Sequence, residues 1–143
     1  AHPLMTFSND LYELDRYRQM PFIVESGHRF GELLPGLPNP HFEIAPEHKA
    51  RYHALCVMAG NFSQILWQAV VTRFGSIGLP AGTLDPYLRQ VTDNFIAARG
   101  SALTGPLSRG DKATIEHNLG ALAGDQLQDL YRAFLEFHTK AAA

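Results

Sequence analysis

Residues 46–74 read PEHKARYHALCVMAGNFSQILWQAVVTRF, and the fold turns on how this stretch is read. Pro46 suits the first position of a helix, where its missing amide costs nothing. From there the chain runs nearly 30 residues without another proline. A helix roughly 40 Å long is predicted at 1.5 Å per residue, with Gly60 as the place where it can bend. Its apolar residues do not keep to one side. Leu55, Met58, Phe62 and Leu66 cover one face, and Ala54, Val57, Ile65 and Ala69 another. A helix apolar nearly all round is central or covered by a partner subunit, so the pattern predicts a dimer or a tightly covered core helix.

Everything beyond this stretch also reads as helix. Gly78-Leu79-Pro80-Ala81-Gly82 breaks the chain, and Thr83 is placed to cap a helix running to about Arg99. Leu84, Tyr87, Leu88, Val91 and Phe95 form its apolar stripe, and Gly100 ends it. Asp111 is a good N-cap for a helix carrying Ile115, Leu119 and Leu122. Asp125 with Gln128 resembles a capping box for the last helix, whose stripe is Leu127, Leu130, Tyr131, Phe134 and Phe137 or His138. The terminal Ala141-Ala142-Ala143 reads as native helix or a cloning scar.

The first 45 residues are mixed. Leu4 to Phe7 is strand-like, and Asn9 to Gln19 is polar and reads as loop or short helix. Pro21 to Glu25 and His41 to Ile44 are strands rich in aromatic and β-branched residues. His28 to Leu34 forms a short helix that the Pro35–Pro40 run must end. Three short strands are too few to stand as a sheet alone, which predicts the edge of a larger sheet. The division is therefore 1–45, a β-α-β edge unit, and 46–143, an all-helical domain. With a strand-like segment at residue 2 and no initiator Met, the chain reads as cut from something longer.

The composition excludes several roles. A formal net charge of -2 argues against a general nucleic-acid binder, which needs a basic stripe to displace phosphate counterions. No apolar run reaches the roughly 18 to 20 residues that span a bilayer, and no signal-peptide layout opens the chain. No membrane partner and a cytoplasmic location are expected. Cys56 is the only cysteine, so an intrachain disulfide is impossible, and a buried, inert thiol is predicted. His28, His41, His48 and His138 lack metal-ligand spacing, and no metal site is expected.

A few residues stand out for chemistry. Lys49 and His53 are four apart and share one face of the long helix, together with Cys56, Gly60, Ser63, Gln64 and Trp67. A cleft along that face sets an amine beside an imidazole, and a second basic group lowers the amine pKa toward neutrality. The bland alternative is a solvated lysine and a packing histidine. Asn61 lies about 120° round from Lys49 and joins the face only if the helix bends. His2-Pro3 is placed as if just past the end of a parallel strand, where ligands bind, so His2, Thr6 and Ser8 are candidate cleft residues. Thr104-Gly105-Pro106 and Arg109-Gly110-Asp111 form a tight loop between helices. There Arg109 can clamp a carboxylate or phosphate, or simply pair with Asp111. His117 follows within two turns. No G-x-G-x-x-G occurs anywhere in the chain, so it has no ready pyrophosphate cradle.

In order, His2-Pro-Leu-Met-Thr-Phe7, Pro21-Phe-Ile-Val-Glu-Ser26, Lys49-Ala-Arg-Tyr-His53-Ala with Asn61, and Leu103-Thr-Gly-Pro106 with Arg109-Gly-Asp111 resemble the Rossmann-like oxidoreductases that end in domain of unknown function 2520. Their layout is similar to that of pyrroline-5-carboxylate reductase, prephenate dehydrogenase and 6-phosphogluconate dehydrogenase. The resemblance implies a mostly α fold. It would be a helical 6-phosphogluconate-dehydrogenase-C-terminal-like domain with a short N-terminal β-β-α-β remnant of a Rossmann sheet. It further implies NADP or NAD held by an N-terminal domain, with none expected on this chain alone, and a homodimer that completes a cleft for a small-molecule substrate. In the similar β-hydroxyacid dehydrogenases a lysine on the first long helix handles the proton, assisted by an asparagine. Lys49 stands at that place; Asn61 is farther along than one turn, and the one-turn position is His53.

The expectation is thus the dimerising, substrate-cleft domain of an NAD(P)-dependent oxidoreductase. Lys49 and His53 would be catalytic, and His2, Thr6, Asn61, Thr104 and Arg109 substrate-binding. A non-catalytic oligomerisation or ligand-sensing module is the alternative.

Overall fold

The computed structural model describes residues 1–141, so of the Ala141–Ala143 tail the last two residues lie outside the described part. The fold is mostly α with one small sheet. The elements run β1 (His2–Pro3), α1 (Leu14–Gln19), β2 (Phe22–Glu25), α2 (Phe30–Leu33) and β3 (His41–Ile44). Helices follow: α3 (Lys49–Val57), α4 (Ser63–Ser76), α5 (Asp85–Ala98), α6 (Pro106–Arg109), α7 (Lys112–Ala121) and α8 (Leu127–Ala141). Two compact units are present, residues 1–67 and residues 68 onward.

In the first unit the sheet has the order β1-β2-β3. β2 and β3 are parallel, with Glu25 opposite Ile44 at their carboxyl ends; α2 fills the crossover that parallel neighbours require. Alternation along β2 sorts its side chains. Phe22 and Val24 are buried and pack with Met20 and Phe30, while Ile23 and Glu25 face the other way. Asn39 anchors the turn before β3 from inside. Its amide donates to the carbonyls of Tyr17 at 2.6 Å and Met20 at 2.9 Å, as a buried polar group must.

Two expectations for the N-terminus are corrected. The first strand is His2–Pro3 rather than Leu4 to Phe7. The Met5 amide bonds back to the Pro3 carbonyl at 3.0 Å, and that tight turn ends the strand. β1 is also antiparallel to β2, His2 opposite Ile23, so His2 does not follow a parallel strand.

The long helix is continuous from Pro46 to Ser76, 31 residues. It starts with a 3-10 turn at Pro46–His48 and widens to a π-helical turn at Met58–Phe62, centred on Gly60. None of its residues is buried, and Leu55, Met58, Phe62 and Ile65 are each more than half exposed. A core helix covered within this chain is therefore not what forms. Cys56 is half-buried rather than buried. The expectation that nothing here is apolar enough to span a bilayer is also corrected. This helix passes on length and composition, with an 18-residue window of mean hydropathy 1.4. Asn61, Ser63, Gln64 and Gln68 interrupt the run without lowering its mean enough.

In the second unit Asp111 caps α7, accepting from the Thr114 amide at 3.1 Å. Gly110 takes the left-handed conformation, φ 63°, that closes α6. Asp125 caps α8 through the Leu127 amide at 2.8 Å and receives a two-pronged hydrogen bond from Arg73 at 2.9 and 3.0 Å. Gln128 does not return the capping bond; its amide donates to the Leu119 carbonyl at 2.8 Å, which ties α8 to α7. Thr83 makes no cap either, because a 3-10 turn over Ala81–Leu84 leads into α5 and leaves Leu84 at the cap position. The turn after α5 puts positive φ on Arg99, 48°, not on Gly100. The expected stripes are only partly covered: Leu84 is buried, but Tyr87, Val91, Phe95, Phe134 and Phe137 are exposed.

Candidate functional site

One cleft of about 630 Å³ lies in the first unit. β2 and β3 deliver Ile23, Glu25 and Ile44 to its floor, from the sheet face and carboxyl end opposite the core. The start of the long helix delivers Lys49, Tyr52 and His53, one turn apart as helical spacing demands. β1 adds His2. Ligands in open α/β sheets bind outside the carboxyl ends of parallel strands, and this cleft sits at that end of the β2–β3 pair.

Two polar contacts organise it. Lys49 Nζ donates to Glu25 Oε2 at 2.9 Å. That hydrogen bond, with the ammonium charge behind it, holds the Glu25 carboxyl below its ordinary value of 4.5. The charged partner of Lys49 is thus a carboxylate, not the second basic group expected from the sequence. His2 Nδ1 lies 2.8 Å from the Tyr52 hydroxyl, with the rings edge to face. Burial pushes the Tyr52 hydroxyl up to about 12, and the neighbouring Cys56 thiol adds to the effect. Ala1 and His53 also line it, and the side chains of Ile23, Ile44, Pro46 and Ala50 are apolar.

Of the residues singled out in the sequence, the cleft brings together His2, Lys49 and His53. Asn61 is not among its lining residues. It is exposed in the π-helical turn, twelve residues and about 18 Å along the axis from Lys49. Thr6 is exposed; its carbonyl accepts from the Tyr12 hydroxyl at 2.7 Å. The Ser8 hydroxyl bonds locally to Asp10. Thr104 and Arg109 belong to the second unit. Both are exposed, with Arg109 ending α6. The Asp111 carboxyl is held below its ordinary 3.8 by the Thr114 hydroxyl and amide first, with the Arg109 charge adding. His117 is exposed on α7. Among the described residues no cluster of three or more His, Cys, Asp or Glu is placed to hold a metal.

Glu25 and Tyr52 were not foreseen. Tyr52 had a legible signal, three residues after Lys49 on the same helix. Glu25 had none, because its partner lies 24 residues away.

Comparison with known proteins places the chain. The model of a domain of unknown function, DUF2520, matches residues 25–136. No curated protein matches. Two crystal structures share the fold. One is a proposed NADP oxidoreductase of Bacteroides fragilis, 22% identical, with a TM-score of 0.77 over 96% of this chain and 55% of that one. The other is a protein of Thermotoga maritima, 24% identical, with a TM-score of 0.78 over 99% of this chain and 60% of that one. This chain thus spans little more than half the length of either.

Proposed function

The chain belongs to the DUF2520 family, and from that premise we propose that it is the substrate-cleft and dimerisation part of an NAD(P)-dependent oxidoreductase. One observation carries the proposal: Lys49, His53 and His2 line a single cleft at the carboxyl ends of two parallel strands. In such an enzyme a nicotinamide cofactor, held outside this chain, would supply hydride chemistry. The residues here do not fit that cofactor, since the chain lacks the glycine turn that cradles a pyrophosphate. What they fit is the small-molecule side of the reaction. Lys49 Nζ and the His53 imidazole hold or move the proton of the substrate heteroatom, and Glu25 holds the ammonium in place.

The dimer rests on surface. The chain exposes 11104 Å², whereas two separate compact bodies of half its mass each would expose only about 8,800 Å² together. A surplus of that size leaves room for both the nucleotide domain and an obligate homodimer interface. The unburied apolar residues of the long helix are the natural contributors. Covering by lipid would place His53, Asn61, Ser63 and two glutamines at hydrocarbon depth, which is costly. We therefore take a second copy, not a membrane, as the cover, in a cytoplasmic protein.

The test is calorimetry with NADPH and NADH on this chain and on the protein extended by an N-terminal nucleotide domain. We expect binding only to the extended protein, and loss of at least a hundredfold in its turnover on Lys49→Ala. Micromolar NADPH affinity in the chain alone, or turnover indifferent to Lys49, would overturn the assignment.

A further inference from the structure

His2 and Tyr52 form a polar contact of the cleft that involves no ion pair. They come from β1 and α3, fifty residues apart, and meet at 2.8 Å between Nδ1 and the hydroxyl. The ring centroids are 5.6 Å apart at 79°, so the contact fixes the plane of the imidazole as well as one of its nitrogens. Which partner donates decides what His2 can offer to a ligand. The Tyr52 hydroxyl, its ionisation pushed up to about 12 chiefly by burial, keeps its proton throughout the neutral range and so is able to donate to Nδ1 as well as to accept from it. A neutral imidazole has one nitrogen that accepts and one that carries hydrogen. If Nδ1 accepts from Tyr52, the hydrogen is on Nε2. Among the described residues His2 makes no side-chain hydrogen bond other than this one, so Nε2 is left without a partner in the protein.

We propose that Tyr52 is a positioning residue, which holds His2 as the neutral Nε2–H tautomer and so presents a fixed donor to an acceptor atom of the molecule bound in the cleft. The proposal rests on reading the cleft as a substrate site. It also narrows the chemistry of the ligand there. The charges of Lys49 and Glu25 offset each other at 2.9 Å, and Ala1, the His53 imidazole and the apolar side chains of Ile23, Ile44, Pro46 and Ala50 complete the lining. A fixed donor there suits an acceptor atom, of which a carbonyl oxygen is the simplest. A preset tautomer spares the ligand the cost of orienting the ring on binding.

The experiment is NMR of the histidine ring nitrogens in this chain, at a pH well above the ordinary histidine pKa. For His2 we expect an unprotonated Nδ1, its resonance moved upfield by the accepted hydrogen bond, and a protonated Nε2. Tyr52→Phe should lose that upfield shift and admit the Nδ1–H tautomer. A protonated Nδ1 in the parent, or an Nδ1 resonance that Tyr52→Phe leaves in place, would sink the proposal. If Tyr52→Phe fails to fold, the ring-carbon resonance of Tyr52 that bears the hydroxyl, compared between the parent and His2→Gln, reports the same bond; no change overturns it. NADPH calorimetry on the extended protein stays a separate readout. If NADPH fails to bind while the Nδ1 shift is present and lost in Tyr52→Phe, the oxidoreductase reading falls and the Tyr52–His2 assignment stands.

Discussion

Lys49 on the long helix and Glu25 at the end of β2 meet at 2.9 Å between Nζ and Oε2, and this pair joins the sheet to the helix at the cleft. Lys49 is 70% exposed and Glu25 34%, so solvent screens the pair and its contribution to stability is small. Its effect is to set the direction of the ammonium.

The Glu25 pKa lies below its ordinary 4.5 in the folded chain. Its stabilisation is therefore complete above about pH 4.5 and is lost as pH falls through the folded value. We expect Glu25→Gln to lower Tm slightly at pH 7, with the difference from the parent closing as the pH drops below about 4.5. Thermal melts of both proteins between neutral and acid pH measure this. A gap that widens on acidification would contradict it.

Asn39 is the buried polar residue of the first unit and is 6% exposed. Asn39→Asp replaces a donor with a carboxylate facing two carbonyl oxygens. We expect a loss of about 3 kcal/mol or more in urea unfolding. A change under about 0.5 kcal/mol would mean that the turn before β3 can rearrange without it.

Asp125 both caps α8 and receives Arg73. Those contacts, the Arg73 hydrogen bond foremost, hold its carboxyl below the ordinary 3.8. Asp125→Ala removes cap and anchor together, and we expect Tm to fall by several degrees. The contribution is present above about pH 3.8 and fades as acid protonates the carboxylate through its lowered folded value. Amide hydrogen exchange should rise first at the N-terminal turn of α8. Protection unchanged there would show that the cap contributes nothing.

Ile65, 64% exposed on the long helix, is predicted to lie in the proposed dimer interface. Ile65→Asp places a charge in that surface, and we expect a dimer in the parent to become a monomer by sedimentation velocity. A parent that is monomeric throughout, or a variant dimer of unchanged affinity, would remove the interface from this helix.

Residue pattern alone determined the elements whose causes are local. The Pro46 start, the proline-free run to the Gly78 break and the Asp111 cap all depend on neighbours within a few residues, and each was legible. So were two of the strands and the pairing of Lys49 with His53 on one face, since helical period is a property of the backbone. The family resemblance was legible for a different reason, being carried by four short motifs in fixed order.

Only the tertiary structure decided what those faces meet. Nothing near Glu25 announces Lys49, and nothing near His2 announces Tyr52, because each bond closes a loop of 24 or 50 residues. The π-helical turn that carries Asn61, the antiparallel direction of β1 and the bond that turns Gln128 toward Leu119 were equally invisible. At Gln128 the bond to the Leu119 carbonyl replaced a local capping preference worth about a kilocalorie. The apolar girdle of the long helix shows the limit from the other side. Its pattern said that something must cover it, and in the folded chain Leu55, Met58, Phe62 and Ile65 stand exposed.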